Sequence, residues 1–427
     1  MSKSRHKKAV FALISTIFAA LNCYGSEYIS GSIINDKSTP IKREITIPTV
    51  DISKQTDRHV IIAQGTEEIR HGHPSTLLMP DGKTMFVAWT YEHGGALGPM
   101  KKSIDGGLTW SGLLEVPNNW SQYENCPPLY RLSDSEGVDK LFIFANRKIR
   151  AENIVRTFPL DSSRDFQMYQ SFSTDEGATW SPMQPSPLSD GLGFLSENSL
   201  PTTVMPFTAI VPTKDGKTLL GFSNLRRGGE WGRSNVVSQS YSKDGGLTWS
   251  HWRVILDLGS DLFPCEPEVI RSPDGVQLLM IIRENNRALN SWLMVSNNEG
   301  KTWSEPFQAT GSITMDRHQA EYAHDGRLVI VGRDVAEESS TNKHFIAWVG
   351  TYEDLIEGNE GGYRIKLLHT YKTTEYPGLE LLPDGTFVAT NSVSYRSGEN
   401  YSIVSTRFKL EETDRLAEKL SMNNLSE

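Results

Sequence analysis

Cysteine is nearly missing from this chain. Three residues in 427 exclude a disulfide-built scaffold and a zinc site made of thiolates. A surplus of positive charge is missing too. Lysine and arginine number 43 against 52 aspartates and glutamates, a formal net charge of −9, which argues against a protein that neutralises nucleic-acid phosphates. The ten histidines form no His-x3-His or similar ligand set, so no catalytic metal and no cofactor are expected. Helical periodicity is absent before about residue 411. Long apolar runs are absent as well, with one exception. Ala9 to Leu21 is apolar but for Ser15 and Thr16, follows Lys3, Arg5, Lys7 and Lys8, and precedes small residues at Cys23 and Gly25. The run is too short to span a membrane. It predicts a cleaved secretory signal over residues 1–25 and an exported chain, periplasmic or extracellular, with no membrane insertion afterwards.

What is present is turn-rich and foldable. Hydrophobic residues make up 37% and aromatics 9%, with 35 glycines and 21 prolines. A chain this aromatic can bury a core, and its length suits one large all-β domain or two to three ordinary ones. One pattern dominates. Ser103-Ile-Asp-Gly-Gly-Leu-Thr-Trp110 recurs as Ser173-Thr-Asp-Glu-Gly-Ala-Thr-Trp180 and as Ser242-Lys-Asp-Gly-Gly-Leu-Thr-Trp249. A fourth copy, Ser296-Asn-Asn-Glu-Gly-Lys-Thr-Trp303, has Asn in place of Asp. Ser and Asp bond turn amides, the fixed Gly supplies a positive φ, and the Trp staples the turn onto its sheet. The unit is therefore a hairpin turn, expected far from any substrate.

A second series sets the architecture. Turn glycines follow strand-like runs at Gly82, Gly137, Gly216, Gly275, Gly326 and Gly385, spaced 51 to 79 residues apart. Six units of strands and turns predict an all-β, six-bladed β-propeller with Asp-box hairpin turns over residues 46–410. An N-terminal linker (26–45) precedes it and a polar, partly helical tail (411–427) follows. The strand-like stretch Arg43 to Ile52 is expected to complete the last blade.

In a propeller the inner strands converge on an axis and ligands bind at one mouth. Nine residues before each turn glycine stand His73, Pro128, Phe207, Glu266, Arg317 and Tyr376. Seven to ten residues after four of the glycines stand Arg147, Arg226, Arg283 and Arg333. Guanidiniums converging in an acidic protein suit a carboxylate, sulfate or phosphate. Each could instead pair with an Asp or Glu between blades. The run Asp316-Arg317-His318-Gln319 adds a further substrate contact in His318, or a solvated loop. Trp231 could stack on a sugar ring or anchor its own loop. Cys265 adjoins Glu266, but a small buried Cys is the simpler reading for it and for Cys126.

These residues resemble the sialidase (neuraminidase) superfamily with Asp-box repeats. The segment Tyr376-Pro-Gly-Leu-Glu-Leu-Leu-Pro-Asp-Gly385 looks like that family's nucleophile segment, and Cys265-Glu266-Pro-Glu is similar to the segment of its partner Glu. Ile281-Ile-Arg283 resembles the strand of the second carboxylate-binding Arg, and Arg333 lies near the third. The resemblance implies Tyr376 as nucleophile, Glu266 as its base, and an arginine cluster holding the carboxylate of a sialic-acid-like sugar. Two positions depart from it. Gly72-His73-Pro74 stands where the family has Arg-Ile-Pro, with Arg70 two residues early. Residues 83–102 hold no Asp to act as acid, offering Glu92 and His93 instead.

The expected activity is thus a sialidase-like exo-glycoside hydrolase acting on an anionic oligosaccharide. Arg283 and Arg333, with Arg70, Arg226 or Arg317, would hold the anion, and His73, His93 or Glu92 would protonate the leaving oxygen. A neutral phenol avoids the repulsion that a carboxylate nucleophile would meet beside an anionic sugar. Two other classes fit the same residues: a lyase or dehydratase on uronic-acid glycans using His and Tyr, and a non-catalytic sugar-binding propeller. A monomer is expected.

Overall fold

A computed structural model describes residues 45–147, 168–195, 202–203, 205–226, 235–259, 262–287 and 289–424. The proposed signal segment, most of the linker and Trp231 lie outside the described residues. Six sheets, antiparallel except for one added edge strand, form a ring, a six-bladed β-propeller. The inner strands are His71–Leu78, Leu129–Ser133, Ala209–Pro212, Pro264–Arg271, Met315–Tyr322 and Thr374–Leu381. Each pairs with the next strand outward, respectively Met85–Tyr91, Asp139–Arg147, Leu219–Arg226, Leu278–Glu284, Leu328–Asp334 and Phe387–Val393.

These second strands carry near-continuous apolar runs, as in Leu278-Leu-Met-Ile-Ile282, because a blade is covered on both faces. The core is accordingly divided among the blade interfaces. Leu220, Phe222 and Val237 of blade three pack on Met280, Ile282 and Met294 of blade four. Leu279, Ile281 and Leu293 of blade four pack in turn on Ile330, Ile346 and Trp348 of blade five. Ring closure is also apolar: Ile62, Val87, Trp89 and Ile403 join the first and last blades.

The closing strand differs from the expectation. His59–Ala63, not Arg43 to Ile52, completes blade six, antiparallel to Ser402–Phe408. Thr49–Asp51 lies on blade five, parallel to Tyr363–Leu368. The apolar alternation of the earlier segment is real, since Val50 and Ile52 are buried, but the six residues that follow carry the chain on to the next blade. The C-terminal helix, Leu410–Asn424, docks Leu410 and Ala417 into the interface of blades five and six, and its Asp414 accepts hydrogen bonds from Arg327 and Tyr363.

The Asp-boxes bond as their composition dictates. The Ser103 hydroxyl bonds Asp105 at 2.8 Å and accepts the Gly107 amide at 2.9 Å, while Asp105 accepts the Thr109 amide at 2.9 Å. The same bonds recur at Asp175, Asp244 and Asn298. Gly177 has φ +81°, and a Cβ there would come within 2.6 Å of Phe86 on the preceding blade. Trp249 is fully buried between blades two and three, and its indole donates to the Gly246 carbonyl at 3.0 Å. Ser103 pairs with Met85, just past the Gly82 turn. All the boxes therefore lie at the turn end of the blades, opposite the N-terminal ends of the inner strands.

Candidate functional site at the propeller mouth

At that opposite mouth four inner strands break register in the same way. The ladder skips between Gly72 and Ser75, Cys265 and Glu268, Asp316 and Gln319, and Thr374 and Pro377. Such bulges re-aim side chains. The residues freed include His73, Glu266, Arg317 and Tyr376, the four ionisable positions nine residues before a turn glycine. His73 (φ +47°), Glu266 (φ +49°) and Arg317 (φ +53°) sit in the left-handed region. Each such residue costs about 1–2 kcal/mol without the freedom of glycine. Three strained equivalents around one axis make this mouth the candidate site. The corresponding residue of blade three, Phe207, instead packs on Trp249 with centroids 4.2 Å apart.

Tyr376 donates its phenol to Glu266 Oε1. Glu266 Oε2 accepts from Arg283 Nη1 at 2.7 Å, and the other side of that guanidinium, Nε, lies 2.7 Å from Asp316 Oδ1. Arg333 and Arg287 both reach Asp316 Oδ2, Arg287 at 2.9 Å. Arg333 also donates to the Thr374 carbonyl at 2.8 Å. Three guanidiniums thus share one aspartate, a local excess of positive charge that Glu266 offsets only in part. Arg317 lies beneath, its guanidinium 6.0 Å from the Tyr376 ring centroid and bonded to the Thr208 carbonyl at 3.1 Å. It lines a polar axial cavity of about 90 Å³ together with Thr76, Tyr130, Glu268 and Gln319.

Burial would raise the Glu266 carboxyl, but Arg283, Arg317 and the Tyr376 hydroxyl together hold it below the usual carboxylate range. Burial and the Glu266 charge push the Tyr376 phenol well up. The resting pair is therefore a neutral phenol donating to a carboxylate.

The other half of the mouth is built on Glu375, whose side chain is 1% exposed. Arg70 pairs with its Oε1, and the Arg70 guanidinium also stacks on Tyr401, 4.3 Å from the ring centroid. His93 Nδ1 lies 3.1 Å from the same oxygen. The His73 amide donates to Oε2 at 3.2 Å. The His73 ring stacks on Tyr376 at 4.4 Å, and its Nε2 is 2.9 Å from His93 Nδ1. Burial takes the His73 imidazole down to about 3. Burial would raise Glu375, yet its bond to His93, the nearby His73 and Arg70 bring it down to about 2. The donor atoms of His73, His93 and Glu375 lie within 4.8 Å of one another, spacing that a cation could use. The Arg70 guanidinium already occupies the shared oxygen, so like charge opposes a metal there.

The expected residues divide unevenly. Tyr376, Glu266, Arg283, Arg317 and Arg333 come together on one side, and Arg70, His73 and His93 on the other. Glu92 is exposed beside His93, with φ +63°. Arg147 and Arg226 end their strands, and their side chains lie outside the described residues. His318 is a correction: it is fully buried, within hydrogen-bond reach of Ser291 Oγ and the Ile313 carbonyl, and faces the protein rather than a ligand. Asp316 in the same run is no substrate contact but the anchor of the arginines. Glu375, Asp316 in that role and Arg287 were not singled out. Only the position of Glu375 beside Tyr376 hinted at it.

The fold and the mouth define a six-bladed Asp-box propeller with a polar pocket of paired arginines, a phenol–carboxylate pair and two histidines. Residues 139–341 match the family described as the BNR repeat-like domain. No curated protein matches the chain significantly. Among solved structures, a Dyadobacter fermentans protein of unknown function is similar at 15% identity and a TM-score of 0.59, over 82% of this chain and 98% of that one. The alpha-L-arabinanase of Penicillium chrysogenum, solved with arabinobiose, matches at 15% identity and 0.55, over 83% and 98%. The intramolecular trans-sialidase of Ruminococcus gnavus, solved with oseltamivir carboxylate, matches at 15% identity and 0.55, over 83% and 97%. Residues 139–341 are thus similar to BNR repeats, and the likeness to these solved structures is one of fold, the six-bladed propeller.

Proposed function

We propose that the protein is an exported glycoside hydrolase that releases a terminal sugar bearing a carboxylate. The observation that carries this reading is the chain Tyr376–Glu266–Arg283 at the mouth. The sugar anion would take the positive excess of Arg283, Arg287 and Arg333. When Arg283 turns part of its charge to the substrate, Glu266 loses a stabilising partner and becomes the stronger base that a buried phenol requires. Tyr376 then attacks the anomeric carbon, Glu266 takes the phenolic proton, and the glycosidic C–O bond breaks. The leaving oxygen receives a proton from the histidine side of the mouth. Water then cleaves the glycosyl–tyrosine bond, and the proton on Glu266 returns to the phenol.

The test is a panel of sialosides, uronate-terminated oligosaccharides and sulfated oligosaccharides, run with wild type, Tyr376→Phe and Glu266→Gln. Both variants should stay folded and lose at least about a hundredfold in rate on the accepted substrate. Full turnover by both would refute the assignment. The two histidines beside Tyr376 also suit a lyase or dehydratase on a uronate. That reaction leaves an unsaturated product that absorbs in the ultraviolet, which hydrolysis does not. Binding of the panel without turnover would mark a lectin-like propeller.

A further inference from the structure

Glu375 is a buried carboxylate that the mechanism above leaves without a task. We infer that Glu375 is the positioning residue of a His93–Glu375 dyad, in which His93 Nε2 delivers the proton to the leaving oxygen. This rests on the hydrolase reading for its chemistry but not for its geometry.

The tautomers follow from one end of the network. Glu375 is ionised and can only accept, so the His93 nitrogen facing Oε1 at 3.1 Å, Nδ1, carries its proton. His73 Nε2, 2.9 Å from that same Nδ1, must then be a lone pair. The His73 proton therefore sits on Nδ1, 3.1 Å from Cys126 Sγ. The Cys126 thiol, held protonated because burial pushes it well up, donates to Asn125 Oδ1 at 3.0 Å. The His93 Nδ1 hydrogen is shared between Glu375 Oε1 and the His73 Nε2 lone pair.

The consequence is a division of labour. His73 is 2% exposed and both its nitrogens are committed. Its ring forms a wall between Tyr376 and His93, stacked on one at 4.4 Å and edge-on to the other at 4.4 Å. The His93 side chain is 58% exposed, so its Nε2 is the uncommitted nitrogen, at the open side of the pocket. Glu375 accepts the Nδ1 proton and so keeps Nε2 outward. Arg70 pairs with the same Oε1 and helps to hold the carboxylate in place. In the first step the Nε2–H bond breaks as the leaving oxygen takes the proton. In the second, Nε2 recovers a proton from the attacking water.

Two readouts test this. The first is ¹⁵N NMR of histidine-labelled protein, with the His93 signals assigned by loss in His93→Asn. In wild type, neutral His93 should be the Nδ1–H tautomer, and Glu375→Gln should abolish that preference. The second is leaving-group dependence. His93→Asn and Glu375→Gln should lose about a hundredfold or more on substrates with sugar leaving groups, and less than about tenfold with a 4-nitrophenyl leaving group, which needs little protonation. An Nε2–H tautomer in wild type, or no change in Glu375→Gln, overturns the dyad whether or not any substrate turns over. Equal losses on both leaving groups overturn the proton-donor role. Stoichiometric Zn²⁺ binding that shifts His73 and His93 together would replace the dyad with a metal site. His93 is exposed, so its variant keeps the test valid if Glu375→Gln fails to fold. An absence of turnover with the expected tautomer would overturn the hydrolase reading while leaving the dyad standing.

Discussion

The two ends of this propeller use polar residues in opposite ways. At the turn end, each Asp-box carboxylate bonds amides and a hydroxyl within four residues of itself, as Asp175 does with Thr179. At the mouth, pairs within a blade such as Arg283–Glu266 are tied to others far apart in the chain: Tyr376 meets Glu266 across 110 positions, and Arg70 meets Glu375 across 305. The turn end has positive φ mainly at glycines, whereas the mouth forces it on His73, Glu266 and Arg317. One end is locally self-sufficient and serves the fold. The other concentrates strain, like charges and shared carboxylates, and depends on six blades to hold it. Polar groups that satisfy themselves locally read as structure; polar groups that need the whole ring read as function.

That contrast can be tested by substitution. The largest effect is expected at Asp316→Asn, which leaves Arg283, Arg287 and Arg333 without their common anion. Unfolding free energy from urea titration should fall by about 3–5 kcal/mol, the usual result of removing one partner from a buried ion pair. A loss under about 1 kcal/mol would mean that the arginines repair themselves with solvent.

Next comes a pH effect inside the axial cavity. Burial pushes the Glu268 carboxyl up to about 8, against an ordinary value of 4.5. A raised folded value means that the protonated acid suits the fold. Its contribution is whole below the unfolded value and is lost as pH rises through the folded one. Stability should therefore decline between about pH 5 and pH 9, with a slope of at most about 1.4 kcal/mol per pH unit, read from urea titrations across that range. Glu268→Gln should flatten that decline, and identical slopes in the two proteins would refute it.

At the turn end the effects should be smaller and silent in catalysis. Asp244→Ala removes the acceptor of the Thr248 amide and hydroxyl and should cost about 1 kcal/mol of stability, with the rate on the accepted substrate unchanged. A change in rate would join the two ends after all. The smallest effect belongs to Asn298→Asp, which gives the fourth box the carboxylate of the others. Asn298 already accepts the Thr302 amide at 2.9 Å and donates to its hydroxyl at 2.8 Å. A gain of roughly 0.5 kcal/mol or less should appear in the urea midpoint.

The same contrast explains what could be read before folding. The boxes, the turn glycines and the buried second strands follow from bonds and packing within a few residues, and so did the propeller. The nine-residue offset reached His73, Glu266, Arg317 and Tyr376 because all four lie in a bulge, at its first residue in blades one, four and five and at its second in blade six. Reading by offset failed where partners come from other blades. His318 sits one residue past Arg317 inside the same bulge, yet its ring lies in the core within reach of Ser291 Oγ and the Ile313 carbonyl. Arg43 to Ile52 was rightly strand-like, but hydrophobic alternation does not say which sheet edge a strand will join.

Local chemistry along the chain therefore settled the blades, their turns and the residue type at each mouth position. Arg283 meets Glu266 and Arg333 meets Asp316 across paired strands of one blade, whereas Arg70 meets Glu375, and Tyr376 meets Glu266, once the blades have assembled around the axis. The physical reason is range. Turn bonds and strand pleats act over a few residues and are written into short motifs. The mouth adds pairs between blades, such as Tyr376–Glu266 and Arg70–Glu375, and these exist once the blades have met around the axis.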